Sequence, residues 1–160
     1  MLIIETIILC SVFWGICYIN TGNDEKNIKY YSSYQDEIQR MLKNNSKLSS
    51  KIKTSSPLLS FVSNILIYGV VLFLFGLMIR QDGFISNFIN MLILGQILNA
   101  FDFFIIDLVW WRNSKRIRFS EIENDPVLYH SSKKHFISFL KGVVLFFLTA
   151  MIDGFILGFC

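Results

Sequence analysis

The residues with the most chemical potential in this chain are carboxylates set inside apolar stretches: Glu5, Asp102, Asp107 and Asp153. An acid surrounded by hydrocarbon demands a cation, a water-filled cavity or a bound proton, so each marks a place where structure or function concentrates. Asp102 and Asp107 are the only candidate catalytic residues. Five apart on an α-helix, they point about 140° away from each other, which disfavours catalysis by paired aspartates. On the same helix Gln96, Asn99, Phe103, Asp107, Trp110 and Ser114 form one stripe, with Gly95 and Asp102 at its edge.

A buried acid calls for a cation, and Lys141 in the last apolar stretch lies at a comparable depth. The expectation is a Lys141 pair with Asp107 or Asp102, in a polar intramembrane cluster that Asn64, Gln96 and Asn99 complete. Arg80, Glu5 and Asp153 form a second expected cluster, near the opposite surface. The run Arg112, Lys115, Arg116 and Arg118 follows a tryptophan pair. It reads first as a topology determinant resting on anionic lipid, and alternatively as a rim whose guanidinium forks take phosphate oxygens.

Other chemistries leave little trace. There is no HExxH, P-loop, glycine-flanked serine or CxxC pair. His130 and His135, with Glu121, Glu123 and Asp125 upstream, match no established ligand spacing, so no metal and no cofactor is expected. Cys10 and Cys17 read as buried thiols, about 10 Å apart along one helix and too far for a disulfide.

The elements that must position these residues follow from composition. Of 160 residues, 53% are apolar and 16% aromatic, more than a soluble domain of this size needs. The apolar runs are Met1 to Ile19, Pro57 to Ile79, Phe84 to Trp111 and Phe136 to Cys160, each long enough to cross hydrocarbon. None alternates with a period of two, so they are helices rather than barrel strands. The fold class is an all-α integral membrane protein with four transmembrane helices in one domain. Met1 to Glu5 has no basic side chain, so the first span reads as retained, not as a cleaved signal.

Basic residues set the orientation. All except Arg80 and Lys141 fall in the two long loops, 20–56 and 112–135. Both loops are therefore expected in the cytoplasm, with the N-terminus and the C-terminus outside and the whole in a plasma (cytoplasmic) membrane. The net charge of +3 reports this topology and not affinity for nucleic acid. Within 20–56, Tyr34, Ile38, Met41 and Leu42 predict one short amphipathic helix, starting after Ser33. The remainder reads as a polar connector skimming the lipid headgroups.

Gly142, Ala150, Gly154 and Gly158 form a small-residue stripe in the last span. It predicts close packing against the second span, at Gly69 and Gly76, or against another protomer. Three functions fit these features. The first is a non-enzymatic accessory, immunity-type or assembly subunit, with anionic lipid and a membrane protein or a second copy as partners. The second is a small oligomeric channel or carrier. The third is an inner-leaflet enzyme acting on a phospholipid or isoprenoid phosphate, with Asp102 or Asp107 as base.

Overall fold

The computed structural model describes residues 1–53, 56–122, 125–129 and 132–159, and every regular element among them is helical. In chain order these are α1 (Leu2–Ile19), the short α2 (Asp24–Asn27), a 3-10 segment Ile28–Ser33, α3 (Asp36–Asn44) and α4 (Pro57–Ile79). After them come α5 (Phe84–Phe101), continued by a π-helical stretch Asp102–Trp111, then the short α6 (Pro126–Tyr129) and α7 (Ser132–Phe159). Four helices, α1, α4, α5 with its continuation and α7, are long and apolar enough to cross a membrane. The last begins at Ser132, earlier than the apolar run alone indicates, because Ser132–His135 continue the helix through polar residues. Cys160 lies outside the described residues.

Two compact units emerge: Met1–Ser11, Ser55–Phe101 and Phe139–Cys160 make the first, Val12–Thr54 and Asp102–Ser138 the second.

In the first unit, α4 starts at Pro57, whose fixed φ and missing N–H suit a first helical turn, behind Ser56, whose hydroxyl accepts from Leu59 N at 3.2 Å. The turn between α4 and α5 is closed by Asn87. Its side chain accepts from Gln81 N at 2.9 Å and donates to the carbonyls of Gln81 at 2.7 Å and Gly83 at 2.9 Å. Gly83 sits at φ +85°, where a side chain is strained. The glycine stripe of α7 packs on α5 and not on α4. A Cβ on Gly154 would lie 2.7 Å from Phe88 Cα, one on Gly158 3.0 Å from Phe84 N, and one on Gly142 would strike the Asn99 amide. Missing side chains thus let the two backbones nearly touch. On α4, Gly76 makes room for Leu157 and Met91.

The second unit corrects the reading of residues 20–56 as a solvated connector. Ile28, Tyr31, Tyr34, Ile38, Leu42 and Leu48 from that segment share a core with Trp111, Ile117, Phe119 and Tyr129. Tyr34, Ile38 and Leu42 have no exposed surface at all. Ile38 and Leu42 lie four residues apart on one face of α3, Tyr34 joins them from the extended chain just before the helix, and Met41 stays at the surface. Backbone groups are satisfied across the two segments: Tyr34 OH donates to Ile117 O at 2.7 Å, and Asn27 Nδ2 donates to the carbonyls of Arg116 and Arg118 at 2.8 and 3.1 Å. Phe119 N donates to the Tyr129 hydroxyl, and Trp111 Nε1 to Tyr129 O, both at 3.3 Å.

Two outcomes test these packings. Gly154→Ala forces a Cβ against backbone and should destabilise the detergent-solubilised chain by about 1–3 kcal/mol, whereas Gly15→Ala, with nothing within 4 Å, should not lower the melting temperature. In the second unit, Ile38→Ala should cost about 2–5 kcal/mol and Tyr34→Phe about 1–3 kcal/mol by stranding the Ile117 carbonyl. Near-UV circular dichroism during denaturation reads both; unchanged midpoints would contradict the core described.

Candidate functional site

The π-helical stretch changes the geometry of the acids. With i→i+5 hydrogen bonding, residues five apart lie close to one full turn from each other. Asp102 and Asp107 therefore share a face, and the divergence expected for an ordinary α-helix does not apply. Asp107 is met by α7: His135 Nδ1 stands 2.9 Å from Asp107 Oδ1, with the imidazole almost wholly covered. Trp111 walls the pair, edge-on to His135 at 6.0 Å and to Tyr30 at 5.9 Å. Burial raises the Tyr30 phenol above its ordinary pKa, and the neighbouring Cys17 and Asp102 push it in the same direction. Cys17, Tyr30, Asp102, Asp107, Trp111 and His135 thus form one neighbourhood of the second unit. An imidazole bonded to a carboxylate, with a second carboxylate on the same helical face, has the parts needed to hold and pass a proton.

His135 is the partner that the sequence concealed. Lys141, the cation expected there, is exposed and makes no ion pair among the described residues. Asp102 is half-buried, likewise without an ion pair among them. The sequence signal for His135 was its place immediately ahead of the last apolar run. His130 and Glu123 lie outside the described residues; among the others, no group of three potential ligands gathers around a metal-sized point.

The basic run has a structural occupation. Arg112 and Lys115 are exposed, and Arg116 and Arg118 are half-buried. The Arg116 guanidinium lies 3.9 Å above the Tyr18 ring and donates through one nitrogen to Tyr18 O at 3.2 Å and Thr21 O at 3.1 Å. It caps the C-terminus of α1, where carbonyls lack intrahelical partners and the helix dipole is negative. Gly22, at φ +111°, admits it: a Cβ there would come within 2.7 Å of the guanidinium. Beside it opens a groove of about 690 Å³ whose lining mixes Lys115, Arg116 and Arg118 with Asp24 and Glu25. Asp24 accepts from Ser120 N at 3.1 Å and Ser120 Oγ at 2.6 Å. Carboxylates on the wall weaken this groove as a phosphate rim.

In the first unit the polar side chains divide. Gln96 Nε2 donates to Val143 O at 3.0 Å and Asn99 Nδ2 to Phe139 O at 3.2 Å, so both join α5 to α7, while Asn64 is exposed on α4. Ala150 is fully buried. The expected grouping of Arg80 with Glu5 and Asp153 is not assembled by ion pairs among the described residues. Arg80 leaves the end of α4 in extended conformation and is exposed, so its charge stays in the surroundings. Glu5 and Asp153 are each 3% exposed, and both oxygens of Glu5 and Oδ2 of Asp153 lack a hydrogen-bond partner.

No protein-family model, curated protein or solved structure matches this chain.

At the surface of the second unit, Lys51 holds Glu25 at 2.7 Å, Lys134 holds Asp36 at 2.7 Å and Lys47 holds Glu121 at 2.8 Å. Each lysine keeps its carboxyl below the ordinary range, through its hydrogen bond and charge. Because folding lowers these pKa values, the stabilisation is complete above about pH 4.5 and disappears as pH falls through the lowered values. The pairs are exposed, so the effect is small. The difference in melting temperature between the natural chain and a Lys47→Ala, Lys51→Ala double variant should be present at pH 6 and vanish below about pH 3. A gap that persists in acid would show that these pairs do not act through charge.

Proposed function

We propose that this chain is a multi-pass membrane protein of the accessory or assembly type, whose basic second unit lies in the cytoplasm against anionic lipid and serves a membrane partner. One observation carries this reading: the polar groups that a phosphate enzyme would aim at substrate are engaged in holding the second unit together. Arg116 caps α1, Asp24 holds Ser120, Asn27 bridges two carbonyls and Lys134 binds both Asp36 and Tyr34 O. The cytoplasmic placement is supported by charge, since every lysine and arginine outside that unit reduces to Arg80 and Lys141. A plasma membrane fits the same bias.

A second reading is favoured by one feature, the shared face of Asp102 and Asp107 with His135 bonded to the latter. It assigns these residues to proton handling, in a small carrier or in an enzyme of the inner leaflet.

Reconstitution separates the two. The purified chain alone in phosphatidylglycerol-containing liposomes should release no phosphate from phosphatidic acid or an isoprenoid diphosphate. It should also pass protons no faster than empty vesicles. Turnover or flux that falls at least tenfold in Asp107→Asn or His135→Asn would overturn the accessory reading and establish the other.

A further inference from the structure

Between α4 and α7 of the first unit runs an open apolar groove of about 310 Å³, walled by Val70, Phe73, Ile152 and Ile156, with Gly69 and Asp153 along it. We infer that this groove seats a transmembrane helix of a partner protein, which presents a lysine or arginine to Asp153. The inference rests on the accessory reading above and names the chemistry of its partner.

Three observations converge on that occupant. The first is an uncompensated charge site. Asp153 is 3% exposed, lines the groove and has an oxygen with no hydrogen-bond partner. Of the ways to satisfy such an acid, a basic side chain is the one that arrives on a helix able to fill the groove as well. The second is that the unit holds no cation within reach. Its only basic residues are Arg80 and Lys141, both exposed. Lys141 lies twelve residues before Asp153 on α7, about 18 Å along the axis, and Arg80 ends α4 about 16 Å beyond Gly69.

The third is shape. The groove takes residues 65–73 of α4 and 149–156 of α7, about two helical turns of each. At Gly69 the wall is open: a Cβ would meet only Thr149 Cγ2 at 3.8 Å and Asp153 Oδ1 at 3.9 Å, so an approaching backbone comes close to the carboxylate there. An acyl chain fills apolar volume but brings Asp153 no charge. A helix with a basic side chain supplies both, in the groove-docking geometry that helices use elsewhere.

The probe is a synthetic twenty-residue leucine-rich transmembrane peptide carrying one lysine about 9 Å from either end, the depth of Asp153 before the end of α7. Its control carries leucine instead. Energy transfer between labelled peptide and the labelled full chain in dilute liposomes should show the lysine peptide associating at least about tenfold more tightly than the control. Asp153→Asn, which keeps the shape of the side chain, should abolish that preference. Gly69→Leu, which fills the groove without touching backbone, should abolish it too, while Glu5→Gln should leave it intact. Helicity and near-UV circular dichroism confirm the fold of each variant.

Equal association of both peptides, as for an acyl-filled groove, overturns the inference. So does no association of either, a preference that survives Asp153→Asn, or one lost on Glu5→Gln. The accessory reading is judged separately, on the same vesicles without peptide, by turnover and flux.

Discussion

The second unit depends on Tyr34. Its ring is wholly enclosed, tilted against Trp111 at 5.3 Å and Phe119 at 5.2 Å and edge-on to Tyr129 at 6.0 Å, while its hydroxyl reaches the Ile117 carbonyl. Burial raises the phenol far above its ordinary pKa, so it stays protonated and stays a donor. One residue therefore joins the segment after α1 to the segment before α7, 83 positions away in the chain at Ile117. Apolar contact closes the unit, directional bonds from Tyr34 and Asn27 fix which backbone stretches of the two segments face each other, and Tyr129 accepts from Phe119 N and Trp111 Nε1 within the later one.

The apolar helices were legible because twenty-residue apolar runs have one stable form in lipid, and their bounds come out within a few residues. The core of the second unit was not. Tyr30, Tyr31, Phe119 and Tyr129 lie in 3-10 turns, extended chain and a four-residue helix, where no period of 3.6 or 2 sorts inward from outward positions. Only Tyr34, Ile38 and Leu42 obey a helical period, which by itself predicts one isolated amphipathic face. Their true neighbours are about eighty residues away, and pairing over such distances leaves no mark on local pattern.

The acids show how a correct rule yields a wrong geometry when the local backbone departs from the common form. Five residues span well over one turn of an α-helix, but nearly one turn of a π-helix, and nothing in the composition of Asp102–Trp111 announces the difference. The same applies to partners. Lys141 has the right charge but is exposed, and the group bonded to Asp107 is His135. For Asp153 the type of residue was informative and the missing counter-charge became visible only once the surrounding side chains were placed.

The cap on α1 has a mechanical consequence. Arg116 grips two carbonyls separated by one turn and lies flat on Tyr18, so its contacts are satisfied at a single angular setting of that helix. Twisting α1 by one residue, about 100°, carries Tyr18 off the guanidinium and replaces both acceptors. The loop after Trp111 thereby works as an indexing pin for the rotation of α1.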